Sequence, residues 1–414
     1  MLGAGLLTVA CNSDGSTATP SVAPSGTALR ATPTATAAAS PDVDGARAYE
    51  HVRQLADVIG PRVAGTDGEV RARDYIKAQL EQDGYDVTLE PFPFDASRFL
   101  PARVIAGSDR YGGFAVDNSP SGDVTGPVVD AGIGRPQDFP PGARGAVALI
   151  ERGELTFQDK IANAAAAGAT GVIIFNNAPG NFDAGADTVA VPAVTLSQQD
   201  GEALRARLAA GQVQATVSVS PPTGTSYNVI AKPKGAAQCA TVTGGHYDSV
   251  PVTGGADDNA SGAASVLEVA RAAAAQSLPG DNCFVLFGAE ELGLIGSKAF
   301  VSQLSDQEIN GIRVMVNLDV VGIDSPLGVL GDDDAVETAR VAGQRVGVQA
   351  EKASLPPNAG SDHQSFQQAG VPVVMLTRED SLIHTQQDTS GRVNPERLEE
   401  TLKLALATLR AYAP

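Results

Sequence analysis

The chain has 414 residues, 43% hydrophobic and 19% charged, enough for about two to three domains with sizeable cores, which argues against a single small binding module. Lys and Arg number 29 against 48 Asp and Glu, and the net charge of −19 repels phosphate backbones and argues against a nucleic-acid partner. Trp is absent and aromatics are 5%, against 45 Gly and 26 Pro, so stacking platforms are not expected and tight turns are.

Residues 1–10 form a short apolar run that ends in Thr8-Val9-Ala10-Cys11, after which Ser, Thr, Ala and Pro dominate up to residue 41. This is similar to a bacterial lipoprotein signal, in which the Cys is lipidated, becomes the mature N-terminus and is followed by a polar tether. A signal and disordered linker over 1–42 is expected, with export either as a lipoprotein anchored through Cys11 or by an ordinary cleaved signal. Thr66-Asp67-Gly68-Glu69 has the form of a capping box, and Ala72, Tyr75, Ile76 and Leu80 follow at helical spacing until Gly84. Residues 86–90 alternate as a strand, and from Phe92 the sequence turns rich in Pro and Gly, which puts a boundary near residue 100. The stretch 101–223 holds apolar strands at 146–150 and 171–175 joined by an Ala-rich helix at 160–167, then a strand at 191–194, and closes on Pro221-Pro222.

From 224 onward, apolar runs at 228–232, 240–243, 284–287, 314–318 and 371–376 are separated by helix-like sequence. This α/β alternation predicts a mostly parallel sheet buried on both faces, and such sheets take their ligands beyond the carboxyl ends of the strands. Asn394 as N-cap, Pro395 at the first helical position and Leu398, Leu402, Leu406 and Leu409 on one face define a final helix. Cys239 and Cys283 each stand seven residues before a motif expected at a strand end, His246 and Glu290 respectively. On adjacent parallel strands that offset sets them level and within disulfide range; a bond and a pair of buried thiols both fit.

Only four His occur, at 51, 246, 363 and 384. Gly244-Gly245-His246-Tyr247-Asp248 follows a predicted strand, and Asp248 can accept from the second ring nitrogen of His246 and fix its tautomer. The small residues of Gly255-Ala256-Asp257-Asp258-Asn259-Ala260-Ser261-Gly262 let carboxylates approach closely. Glu290-Glu291 and Asp319 follow two further strands, and Ile383-His384-Thr385 with Asp388-Thr389 follows the last. Of two adjacent glutamates, one can bind a metal while the other serves as a base with a pKa of about 6 to 7. Imidazole and carboxylate without thiolate suit zinc, manganese or cobalt, and a shared carboxylate suits two ions about 3.5 to 4 Å apart, so a dinuclear hydrolase is expected.

These motifs, together with Asn317-Leu318-Asp319, resemble the M28 family of dizinc aminopeptidases over about 43–100 and 224–414. The resemblance implies two Zn2+ per chain, with His246 and Asp319 on one, Glu291 and His384 on the other, and Asp258 bridging both. It further implies Glu290 as general base acting on a water bound between the ions, Asp248 as its catalytic companion, a structural Asp257, and a cis peptide after Asp258. The implied fold is a mixed, mostly parallel α/β sheet flanked by helices. The implied activity removes N-terminal residues from peptides with a free amino terminus. Residues 101–223, with Gly145-Ala146-Val147-Ala148-Leu149-Ile150 and Ala166-Ala167-Gly168-Ala169-Thr170-Gly171, resemble a protease-associated (PA) domain, a small β-rich insertion that acts as lid or spacer. Ser361-Asp362-His363 resembles a substrate-pocket motif, and Ile383 stands where some relatives carry an oxyanion-donating Tyr, so Asp362, His363 and Ile383 are pocket candidates. Two rival readings stay open. One is a metallocarboxypeptidase, for which Arg378 is the nearby cation; the other is an inactive peptide-binding protein of the same shape.

Overall fold

The computed structural model describes residues 42–413 apart from 97–98, 222 and 356–358; Cys11 and the expected signal and linker up to residue 41 lie outside the described residues. In chain order the first elements are α1 (Gly45–Arg53), α2 (Asp67–Gln82), β1 (Asp86–Asp95), β2 (Pro101–Ala106), β3 (Asp109–Ala115), β4 (Gly122–Asp130) and β5 (Val147–Glu151). There follow α3 (Phe157–Ala166), β6 (Gly171–Phe175), β7 (Ala193–Leu196), α4 (Gln198–Ala210), β8 (Gln214–Val219), β9 (Thr223–Lys232), β10 (Thr241–His246), α5 (Gly262–Ala275) and β11 (Asn282–Phe287). The chain ends with α6 (Ile295–Gln303), α7 (Asp306–Gly311), β12 (Met315–Leu318), β13 (Leu327–Gly331), α8 (Asp333–Arg345), β14 (Glu351–Lys352), α9 (His363–Gln368), β15 (Val373–Arg378) and α10 (Pro395–Ala411).

These strands make an 8-stranded sheet in the order β1-β9-β11-β10-β12-β15-β13-β14 and a closed barrel, β2-β3-β7-β6-β5-β4-β8. In the sheet β11, β10, β12 and β15 run parallel, β9 is antiparallel to both β1 and β11, and β13 is antiparallel to β15 but parallel to β14. Side chains alternate between faces with the period of two that a strand imposes. Phe284 and Leu286 thus join the core beneath α1, α2, α5 and α10, and Val285 and Phe287 join the one against Phe300 of α6 and Phe366 of α9. Burying both faces is what made these strands read as continuous apolar runs. Gly244 and Gly245 keep β10 close to its neighbours: a Cβ at Gly245 would lie 2.4 Å from the Leu318 carbonyl oxygen.

The barrel is inserted between two long partners. Strands β1 and β9 pair antiparallel from Asp86 opposite Lys232 to Asp95 opposite Thr223, and the barrel strands run from Pro101 to Val219 between them. No helix among the described residues is long and apolar enough to cross a membrane.

Two expectations need correction. Cys239 and Cys283 are disulfide-bonded, but they are not level: Cys283 lies opposite Val242, and His246 opposite Phe287. Glu290 sits beyond the end of β11, after a left-handed turn at Ala289, so its motif is not in register with His246; Cys239 reaches its partner from the loop before β10. The capping box is also incomplete. The Thr66 side chain accepts from the Glu69 amide at 3.4 Å, but Glu69 turns inward and accepts from the Gly65 amide at 2.6 Å and from the Ser226 hydroxyl.

Candidate metal centre

The four parallel strands stop side by side, and the loops that leave their carboxyl ends carry the predicted residues. His246 closes β10, Asp258 lies in the segment leading into α5, Glu290 and Glu291 follow β11, Asp319 follows β12, and His384 follows β15. His246 Nε2 lies 3.3 Å from Asp258 Oδ1, 3.5 Å from Asp319 Oδ1 and 3.9 Å from Glu290 Oε2. His384 Nε2 lies 3.0 Å from Asp258 Oδ2 and 3.1 Å from Glu291 Oε2. Asp258 therefore shows one carboxylate oxygen to each imidazole.

Neighbouring loops hold these groups in place. Asp248 accepts from the amides of Glu290 (3.1 Å) and Glu291 (3.3 Å) and lies 3.4 Å from His246 Nδ1, so it aims three of the predicted groups at once. Asp388 accepts from the amides of Asp257 (2.7 Å) and Asp258 (3.1 Å), and its own amide donates to the Thr385 carbonyl at 3.1 Å. It ties the Asp258 loop to the His384 loop. Ser361 donates to Asp319 Oδ2 at 2.6 Å and accepts from Asn317 at 2.6 Å. The Asp258–Asn259 peptide is cis, and the Asn259 side chain bonds the Leu318 carbonyl (3.0 Å) and the amides of Gly262 (2.9 Å) and Val320 (3.3 Å). Asp257 is turned away and accepts from the Gly322 amide at 2.7 Å.

Arg62 carried no sequence signal. The buried Arg62 guanidinium donates to the carbonyls of Tyr247 (2.6 Å) and Gly255 (3.1 Å) and to that of Gly254, bracing the loop between His246 and Asp258 from behind. A buried arginine spent on backbone carbonyls belongs to no motif. Asn259 belongs to the Gly255–Gly262 motif, but the motif does not reveal its bonds to residues about 60 positions away.

The electrostatics are those of a site built for cations. Burial, with the carboxylates of Asp362, Glu291 and Asp319, pushes Glu290 well above the ordinary range although His246 opposes it. Burial and Asp258 raise Glu291 to about 7. Burial opposes the charge on His384, yet Asp258 and Glu291 outweigh it and raise the imidazole to about 11. Burial likewise opposes Asp258 ionisation, and the two imidazoles overcome it and hold that carboxyl below its usual range. Without a cation the cage must retain protons.

Two observations test whether metal fits. Donor separations of 3.0 to 3.5 Å match the ligand–ligand edge of about 3.3 Å around a tetrahedral zinc with bonds of about 2.0 Å. Buried carboxylate oxygens left without a hydrogen-bond partner concentrate here, including Glu291 Oε1, Asp319 Oδ1 and both Asp362 oxygens. Orphaned acceptors are costly unless a cation or water satisfies them. His246, Glu290 and Asp319 form one group with ligand atoms within 4.8 Å of one another, and His246, Asp258 and Glu291 another. The residues fit a metal.

The pocket candidates lie around this cage. Asp362 is fully buried and raised to about 7, first by burial and then by Asp319 and Asp248. His363 opens α9, is 3% exposed, and is lowered to about 4 by burial. Ile383 is half-buried beside His384, whose side chain is 48% exposed. Arg378 does not face the site: its guanidinium is buried against α10, donating to Glu400 at 2.9 Å and to the Val321 carbonyl at 3.1 Å. The cation that a carboxypeptidase reading needs is thus committed elsewhere.

Comparison with known proteins agrees with this geometry. The sequence model of peptidase family M28 matches residues 228–409, and that of the PA domain matches residues 124–204. Aminopeptidase YwaD of Bacillus subtilis (strain 168) is 36% identical over 389 residues, which cover 87% of this chain and 83% of that protein. The solved structure of BSAP, a zinc aminopeptidase from Bacillus subtilis, is 31% identical with a TM-score of 0.64, over 89% of this chain and 95% of its own. The aminopeptidase from Aneurinibacillus sp. strain AM-1 is 34% identical with a TM-score of 0.54, over 88% and 93% of the two chains. With the PA domain set between β1 and β9 and the acidic cage at the strand ends, the chain belongs to peptidase family M28.

Proposed function

We propose that the chain is a zinc-dependent aminopeptidase that holds two ions and removes residues from peptides with a free N-terminus. The observation that carries this reading is the placement of Asp258, whose two oxygens face two separate imidazole–carboxylate groups. His246 and Asp319 would hold one ion, His384 and Glu291 the other, and Asp258 both. Bound zinc would polarise the substrate carbonyl and lower the pKa of a water to about 7.

The remaining work belongs to side chains. Glu290 stands on the His246 side of the cage, farther from Nε2 (3.9 Å) than Asp258 and Asp319 are, so its carboxylate is free to take a proton from the attacking water and return it to the leaving amine. Asp248 positions His246 and the Glu290-Glu291 backbone. The surplus of carboxylates attracts the substrate's ammonium, and the half-exposed His384 marks the open side. Domain limits of 43–100 and 224–414 for the peptidase, 101–223 for the inserted domain and 1–42 for signal and linker accord with the strand boundaries from Pro101 to Thr223. A location outside the cytoplasm, reached through the Cys11 segment, is supported by the Cys239–Cys283 disulfide, since such bonds persist in oxidising compartments.

The test pairs a leucine anilide with its N-acetylated form, together with metal analysis of the purified chain. Hydrolysis of the free-amine compound alone, with about two zinc per chain, is expected. Equal hydrolysis of the blocked compound overturns the aminopeptidase assignment.

A further inference from the structure

The inserted barrel touches the peptidase domain on two sides of the metal centre. On one side Val63, Phe99 and Val250 form a buried cluster against which Phe114 of β3, Val252 and Leu292 pack, and Leu292 directly follows Glu291. On the other side the loop after β6 meets the loop that carries His384. Gln386, two residues beyond His384, donates to the Asn181 carbonyl, and Gly180 lies so close that a Cβ there would strike the Gln386 amide. This barrel loop is organised from within: Asn176 donates to the Gly180 carbonyl at 3.0 Å and accepts from Arg152 at 3.1 Å.

The same barrel loop lines a wide-open surface cavity of about 560 Å³ through Asn177 and Ala178, together with residues 152–157 just after β5. Its exposed cation is Arg152, whose guanidinium stacks over the Phe182 ring at 4.9 Å and is fixed by Asn176, while Glu154 is paired with Arg135. The chain path from Asn177 through the Asn181–Gln386 contact to His384 limits the separation to about 25 Å, the reach of an extended peptide of about seven residues or fewer.

We propose that this cavity is an outer subsite for the downstream end of peptide substrates, with Arg152 receiving the free C-terminal carboxylate of short peptides. The proposal rests on the aminopeptidase reading and extends it from the cleaved residue to the tail. Electrostatics give the direction: the cage attracts the ammonium and repels the carboxylate, which must run away from it, towards a cation. A guanidinium carries five N–H donors in a fixed fork, of which Asn176 takes one, and stacking on Phe182 pre-organises the rest.

The zinc-loaded full chain would be assayed on leucine anilide and on a series of Leu-led peptides from two to eight residues, each as free acid and as C-terminal amide. The readout is kcat/KM for each peptide divided by that for the anilide. This ratio should pass through a maximum within the series for the free acids but not for the amides. Arg152→Ala should lower it at the maximum by about 3- to 10-fold, through KM, the scale of one charge-assisted hydrogen bond at a partly exposed site. Arg152→Lys should recover part of the loss. Equal ratios for free acids and amides in the unaltered protein overturn the proposal, as does an unchanged ratio in Arg152→Ala. Should Arg152→Ala fail to fold, the acid–amide comparison still decides. Failure of the unaltered protein to cleave the anilide would instead strike the aminopeptidase reading.

Discussion

Glu290 and Glu291 are adjacent, but the backbone turns between them, and each carboxylate reaches a different part of the cage. Replacing Glu290 by Gln keeps shape and hydrogen-bonding capacity but removes the proton acceptor. Glu290→Gln should therefore retain its zinc, read by elemental analysis, while kcat falls by about 10²- to 10⁴-fold; a variant with most of its rate left would move the base elsewhere. Asp388 acts on the other half of the site without touching either imidazole. Its carboxylate takes two amides of the Asp257-Asp258 turn, and an Asn there would set one amino group against one amide. Asp388→Asn should weaken zinc binding by about 10- to 100-fold in a competition titration with a chelating dye, as loss of a ligand-orienting partner does. Unaltered affinity would show that the turn holds Asp258 unaided.

The strands that build the catalytic half were legible because both of their faces are buried, which left apolar runs in the sequence, and because His, Asp and Glu are conspicuous where such runs stop. Strands of other kinds left less trace. β13 is five residues with two glycines, β14 is Glu351-Lys352, and β2, β3, β4 and β8 interleave exposed polar residues and glycine on the outside of a small barrel. Around the cage, Arg62 was invisible, and so was what Asn259 does within its motif, since both act on backbone atoms, which have no sequence signature. The pairing of Cys239 with Cys283 was inferred from a level register that does not occur, so the bond rests on tertiary packing of the loop before β10 against β11. That bond spans 44 residues and staples two neighbours of the central sheet. By the chain-entropy relation, closing such a loop contributes up to about 4 kcal/mol, part of which native strain and residual structure remove. A Cys239→Ala, Cys283→Ala double variant should unfold at a lower temperature by several degrees in calorimetry, with zinc content unchanged because the sulfurs lie at the amino ends of β10 and β11, opposite the carboxyl ends that carry the cage. An unshifted transition would mean that the packing around Val285, Phe300 and Ile312 suffices.

At the scale of the whole molecule, a chain with a net charge of −19 gathers carboxylates at one point of its surface. What offsets their repulsion changes with pH in opposite senses with and without metal. In the metal-free protein the cage keeps protons: Glu291 is raised from 4.5 to about 7 and His384 from 6.5 to about 11. A group whose folded pKa lies above its unfolded value lends stability fully below the unfolded value and loses it as pH rises through the folded one. The Glu291 contribution is therefore lost between about pH 4.5 and 7, and that of His384 from about 6.5 towards 11, so the metal-free form weakens steadily from pH 5.5 to 8. With zinc present the sign reverses, because ligands must shed protons to bind and higher pH favours the ion. Binding to the folded state alone raises stability by mass action. The gap in Tm between zinc-loaded and chelator-treated protein should thus widen from pH 5.5 to 8, by about 1 to 3 °C if one to two kcal/mol are involved in a chain of this length. Scanning calorimetry at fixed free zinc checks this, with release of protons on zinc addition at pH 7 as the companion measurement. A gap that stays constant or narrows would mean that His384 and Glu291 are an ion pair of the folded chain and not ligands; proton release without widening would locate the zinc outside the cage.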